Sequence, residues 1–178
     1  ADAQGMMVSF IQSNYMGFGS GLVVPGTGIS LQNRGAGFTL NPAHPNRVGP
    51  AKRPFHTIIP GFVMAGGKPR MSFGVMGGPI QAQGHVQMVL RTQLFGQSPQ
   101  AASDAPRWRV DGGRRVAVEG GLRESVRADL IRRGHDITVE EQDTSFGFGG
   151  AQLIQVLDDG AGYVAGSDHR KDGQAVGF

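Results

Sequence analysis

Gly77-Gly78 lies between Met71-Ser72-Phe73-Gly74-Val75-Met76, which reads as a buried strand, and a segment from Pro79 that reads as a helix. A glycine pair at a strand-to-helix turn lets backbone N–H groups point at one spot, with no Cβ in the way. Such a spot holds an anion, including an oxyanion that exists only during a reaction. Read alone, the pair is more often a tight turn than an anion site, because Gly-Gly is common in turns. Gly17-Phe18-Gly19-Ser20-Gly21 is a second glycine-rich loop, but no GxxxxGK[ST] phosphate loop is present and the G-x-G pieces lack βαβ spacing. His85 and His135 read as partly exposed, helix-associated histidines with no metal partners at ligand spacing. Asp168-His169-Arg170 reads as a terminal turn held by salt bridges.

The elements around these residues follow from periodicity. Met6 to Asn14 alternates loosely and predicts a strand; Asp2-Ala3-Gln4-Gly5 before it resembles a hairpin turn whose other strand lies upstream. Leu22-Val23-Val24 and Ile29-Ser30-Leu31 flank a turn at Pro25-Gly26-Thr27-Gly28, and residues 33–54 read as a long loop that is functional or wraps another surface. Thr57-Ile58-Ile59 predicts a strand that continues through Phe62-Val63-Met64. Ala65-Gly66-Gly67-Lys68 turns it back into Met71 to Val75. Ala82, Val86, Val89, Leu90 and Leu94 predict one helix over residues 80–95. Ser98 as N-cap and Pro99 in the first turn predict a second. A hairpin around Gly112-Gly113 follows, then a third helix ending at Arg132, Arg133 and Gly134. A strand over 136–139 and a hairpin across Asp158-Asp159-Gly160 complete the chain. Strands, then helices, then strands predict a layered α+β sandwich in one domain over residues 1–178.

Composition narrows the chemistry. The chain has 178 residues, 39% hydrophobic and 17% charged, which describes a folded chain with a real core. Thirty glycines imply many turns and close backbone contacts. The absence of cysteine removes disulfides, zinc–thiolate sites and cysteine catalysis. No apolar run is long enough for a membrane helix. The net charge of +3 is dispersed and not interleaved with aromatics, which argues against nucleic-acid binding. No residue set calls for a metal or another cofactor, and the compartment stays open.

Several stretches, in order, resemble the small subunit of the gamma-glutamyltransferase family: Asp2-x-x-Gly5, SFIQSNYMGFGSG (Ser9 to Gly21), VPGTGI (Val24 to Ile29), GPAKRPFHTIIP (Gly49 to Pro60), GVMGGP (Gly74 to Pro79), Ala105-Pro106-Arg107 and GSDHRKDGQAVGF (Gly166 to Phe178). The resemblance implies an N-terminal nucleophile hydrolase fold of αββα type and a precursor that cleaves itself into a large and a small subunit. It implies that an N-terminal threonine of the small subunit attacks the substrate amide, its own amine acting as base. It places that threonine a few residues before Asp2, where this chain begins with Ala1, so Thr27, Thr39, Thr57, Thr92, Thr138 and Thr144 are not candidates. It makes Gly77 and Gly78 the oxyanion-stabilising pair, and puts Ser13 and Asn14 near the hydroxyl and asparagine positions that support the nucleophile and contact substrate, with Tyr15 as an alternative.

The departures bear on specificity. Many members carry an acidic residue that grips the substrate's α-amino group; the matching segment here reads Asn33-Arg34-Gly35-Ala36-Gly37-Phe38. The family's serine pair after Lys-Arg-Pro is replaced by His56-Thr57. Losing the carboxylate removes the charge-assisted partner of an ammonium, and Arg34 prefers an anion. The chain is thus most similar to the subgroup that includes cephalosporin acylase-like proteins. The expected function is an N-terminal-threonine amidohydrolase or acyltransferase that cleaves a gamma-glutamyl or glutaryl-type amide through an acyl-enzyme. Arg34, His56, Thr57, Ser13 and Asn14 would contact its small-molecule substrate. The alternative is a non-catalytic family remnant with a binding or structural role.

Overall fold

Met71, Phe73 and Val75 alternate along one strand and are 0%, 5% and 0% exposed, so the period-two pattern of the sequence becomes the core-facing side of a sheet. The computed structural model describes residues 1–141 and 147–178; Thr144 lies outside the described residues. The chain divides into two compact units, one of residues 1–9 with 59–178 and one of residues 10–58.

The larger unit is α+β. Strands β1 (Gly61–Ala65), β2 (Lys68–Met76), β6 (Gly150–Val156) and β7 (Tyr163–Ser167) form an antiparallel sheet in the order β1-β2-β6-β7. Strands β3 (Trp108–Gly112), β4 (Arg115–Glu119) and β5 (Asp136–Glu140) form a second sheet, in which β4 and β5 run parallel with helix α3 (Glu124–Arg132) as the crossover. Helix α1 (Gln81–Val89) lies on β2, and helix α2 (Pro99–Asp104) lies on β6 and β7. Both approaches are close because a glycine stands at each contact. A Cβ on Gly84 would lie 2.7 Å from Val75, and one on Gly166 would lie 2.6 Å from the Pro99 backbone. The core beneath is Met71, Phe73, Val75, Met88, Ala102, Ala151 and Leu153.

The predicted hairpins at residues 65–68, 112–113 and 158–160 form, and Ser98 caps α2 by accepting the Ala101 N–H at 3.2 Å. Three expectations need correction. Residues 6–14 form no ladder; in the larger unit Val8 and Ser9 meet β2 through side chains instead, Ser72 Oγ donating to the Val8 carbonyl at 2.8 Å and Ser9 Oγ to the Phe73 carbonyl at 2.9 Å. The strand placed at Thr57-Ile58-Ile59 begins only after Pro60, at Gly61. The helix over 80–95 is not uniform. It opens as a 3-10 turn (Gly78–Ile80) and closes as a π turn (Leu90–Leu94), with Thr92 Oγ donating back to the Met88 carbonyl at 2.8 Å.

The smaller unit is mostly irregular. An isolated bridge, Val23 with Ser30, marks the predicted turn at 25–28, and Thr39 bridges Arg47 inside the long loop, which also holds a 3-10 turn, Arg34–Gly37. No helix among the described residues is long and apolar enough to cross a membrane.

Candidate functional site

Strand β2 ends at Met76, and the chain turns into helix through Gly77 at φ 137° and Gly78 at φ 70°. Both angles fall where side chains with a Cβ are strained. Gly77 is also enclosed: a Cβ there would lie 2.7 Å from Ile80 and 2.8 Å from the Gly149 Cα. Gly78 faces open space, with nothing within 4 Å of its Cβ position. Among the described residues, no loop or turn carbonyl claims either N–H. The following 3-10 turn, α1 and π turn run on without a break, so these donors stand at the positive end of a helical stretch. The arrangement can hold an anion or a developing oxyanion on the Gly78 side.

The remaining candidate residues lie in the smaller unit, and the structure brings most of them together. Ser13 Oγ accepts the Tyr15 N–H at 3.0 Å, and Tyr15 takes a left-handed conformation at φ 79°. The Asn14 carbonyl accepts the Asn33 N–H at 3.1 Å, and Asn33 Oδ1 accepts the Met16 N–H at 3.1 Å. This double tie sets residues 13–16 beside the 3-10 turn that begins at Arg34. The Arg34 guanidinium lies 5.4 Å over the Tyr15 ring and donates to Thr57 Oγ at 3.5 Å. No other described group takes its remaining donors. A guanidinium on a half-buried residue, with donors to spare and an aromatic support, has the chemistry to receive a carboxylate. His56 is exposed and joins none of these hydrogen bonds. Asn33 is the site-shaping residue that sequence reasoning left without a role, its signal being an amide directly before a helical turn; Tyr15, read as an alternative to Ser13 and Asn14, lies under the Arg34 guanidinium.

Other titratable groups fall into place outside this cluster. The His85 ring is half-buried and lies 5.1 Å from the Phe73 ring; burial lowers its pKa, while the Gln81 carbonyl at 2.6 Å from Nδ1 acts to raise it. The Asp168-His169-Arg170 stretch is salt-bridged, as read. Arg170 binds Glu119 through Nε and Nη2, both at 2.6 Å, and Asp168 pairs with Arg107 with both side chains fully buried. Burial alone would raise the Asp168 carboxyl. The charge of Arg107 and the N–H groups of Ala151 and Arg170 outweigh it and hold the group below the ordinary carboxylate range. Arg91, close to Arg107 and Arg170, is pushed down to about 10 by burial and by those two charges. Among the described residues, no group of acidic, histidine or cysteine side chains is placed to hold a metal.

Residues 1–178 match the family described as Gamma-glutamyltranspeptidase. The chain is 40% identical to the glutathione hydrolase-like YwrD proenzyme of Bacillus subtilis and 37% identical to the oxamate amidohydrolase proenzyme of Klebsiella pneumoniae, over 99% of its own length in both cases. It spans about a third of those relatives, 34% of each. Among solved structures it superposes on the cephalosporin acylase of Bacillus halodurans with a TM-score of 0.83 and 50% identity, covering 92% of this chain and 30% of that one. The gamma-glutamyltranspeptidase of Helicobacter pylori, as its T380A mutant, shares the fold at 24% identity and a TM-score of 0.81, covering 96% of this chain and 97% of that one.

Proposed function

Since the chain belongs to the gamma-glutamyltranspeptidase family and has its α+β N-terminal nucleophile hydrolase fold, we propose that it is the small-subunit portion of a self-cleaving amidohydrolase or acyltransferase. The observation that carries this reading is the Gly77-Gly78 turn: two positive-φ glycines, no loop or turn carbonyl on either N–H among the described residues, and open space before Gly78. In amide cleavage the carbonyl oxygen becomes an oxyanion as the nucleophile adds, and fixed N–H donors lower the barrier at that moment. The nucleophile is an N-terminal threonine, its amine takes the hydroxyl proton, and an acyl-enzyme forms before water or an amine releases the acyl group. A large subunit from the same precursor completes the enzyme; the word proenzyme in the names of both curated relatives accords with that origin.

The acyl group carries a carboxylate that Arg34 receives, with Tyr15 behind the guanidinium and Thr57 beside it; Ser13, Asn14 and His56 are the further substrate-side candidates. Gly37 stands where an acidic residue would hold a substrate ammonium, so a free α-amino group gains nothing here. Oxamate, the substrate in one relative's name, likewise has a carboxylate beside its amide and no ammonium. The test compares glutaryl- and gamma-glutamyl-anilides on the processed protein made from its full-length precursor. The expected result is higher kcat/KM for the glutaryl compound. A strong preference for the free α-amino group would overturn the Arg34 assignment, and cleavage of neither would overturn the activity itself.

A further inference from the structure

Gly77 rests on Gly149, and Gly149 is held unusually firmly. The Gly149 Cα fills the place a Gly77 Cβ would need, and a Cβ on Gly149, itself at φ 71°, would lie 2.1 Å from the Met76 carbonyl oxygen. The two turns therefore contact backbone to backbone, with the Ile80 and Val75 side chains packed against the same two glycines. Three ionised side chains grip the segment that contains Gly149. Arg109 Nη1 donates to the Gly147 carbonyl at 2.8 Å, and its guanidinium lies 5.2 Å over the Phe148 ring. Arg107 Nη1 donates to the Phe148 carbonyl at 2.9 Å. On the other side of Gly149, Asp168 Oδ2 accepts the Ala151 N–H at 2.6 Å. Arg107 and Asp168 are paired to each other, so one buried ion pair holds the backbone both before and after Gly149. Charge-assisted bonds to backbone are the strong kind, and buried ones are screened far less than exposed ones.

Resting on the oxyanion reading of Gly77-Gly78, we propose that Gly149, clamped by Arg107, Arg109 and Asp168, is the positioning residue that fixes the glycine-pair turn in its donor geometry. An oxyanion donor loses its value when displaced by a fraction of an ångström, and β2 alone leaves the turn free on its Gly149 side. The clamp supplies rigidity where no side chain of the turn itself can.

Gly149→Ala in the processed protein, assayed with the better anilide, tests this. A methyl group at Gly149 pushes on Met76 and Gly77, so kcat falls roughly a hundredfold or more while KM stays within about threefold, the split expected when only the transition state loses contacts. Gly166→Ala on β7 is the control for instability alone. It crowds the Pro99 backbone comparably, at 2.6 Å, but touches neither turn, and it lowers the unfolding midpoint without a selective loss of kcat. Should Gly149→Ala yield no folded, cleaved protein, Arg109→Lys carries the test: it keeps the charge but not the planar fork, and kcat falls roughly threefold to tenfold at constant KM. Unchanged kcat in the variant used, or losses that match those of Gly166→Ala, overturns the inference and leaves the oxyanion reading standing. If the unsubstituted processed protein cleaves no anilide, the oxyanion reading falls and takes the inference with it.

Discussion

Behind Gly77 the backbone is held by Arg107 and Asp168, both fully buried, and by Arg109. Around Arg34 the holding groups are the exposed Ser13 and the half-buried Asn33, Tyr15 and Thr57, joined by neutral hydrogen bonds, one long bond from the guanidinium to Thr57 and one cation–π contact. The first region presents backbone donors from the edge of a packed core. The second presents one flexible side chain from an irregular loop. On the proposed reading the division is functional: chemistry common to every amide needs donors that do not move, whereas acyl recognition can be retuned on a loop at little cost to stability.

The sharpest way to break this contrast is to remove one charge from each region. Asp168→Ala leaves Arg107 buried and unpaired, at a cost of about 3–5 kcal/mol. Arg34→Ala costs about 1 kcal/mol, because it loses only a partly solvated cation–π contact and one long hydrogen bond. Urea unfolding of the processed protein measures both, and equal costs would show that the two regions are held alike. The same carboxyl gives an acid-side signature. Its folded pKa lies below the unfolded value, about 3.9 for an aspartate, so its contribution is fully present above that pH and is lost as pH falls through the folded value. Asp168→Asn flattens that limb of stability against pH. Some limb persists from Asp111, whose pKa is lowered by its hydrogen bonds to Arg109, and from Asp129, lowered by those to Arg133 and Arg132.

Arg34→Glu probes the loop directly. A charge-assisted contact of this kind contributes about 1.5–3 kcal/mol, so kcat/KM for the glutaryl-anilide falls roughly tenfold to a hundredfold. The gamma-glutamyl compound, with an ammonium to offer, loses less. Equal losses on both substrates would mean that Arg34 does not read the acyl group.

The two regions also differ in how much of them the sequence discloses. Gly77 and Gly78 are legible because positive φ at a turn leaves few residues but glycine, and the flanking strand and helix have clear periods. Of the clamp behind them, only the salt-bridged turn at Asp168 is legible, not what it holds. Arg107 reaches the Phe148 carbonyl and Arg109 the Gly147 carbonyl from 41 and 38 residues away in sequence, and only the folded chain sets such pairings. Residues 6–14 alternate like a strand, yet alternation specifies an extended chain and not a partner in register, and here side chains of Ser9 and Ser72 make the contacts. In the loop, Arg34 is visible as a departure from an acidic motif. Its aromatic support is not, because a tyrosine at φ 79° is a conformation that residue preferences speak against.

That strained tyrosine gives the smallest effect and the finest test of the contrast. Asn adopts the left-handed region more readily than Tyr, so Tyr15→Asn keeps the turn that Ser13 and Asn33 tie down and removes only the ring beneath Arg34. The cation–π contact at a partly exposed site contributes about 0.5–1 kcal/mol. Stability therefore stays nearly constant, relief of backbone strain offsetting the lost stacking. Selectivity for the glutaryl- over the gamma-glutamyl-anilide drops roughly threefold, because the guanidinium samples more orientations before the substrate arrives. A drop as large as that of Arg34→Glu would instead make the ring itself a substrate contact. A loss of stability comparable to that of Asp168→Ala would move Tyr15 from the adaptable region to the fixed one.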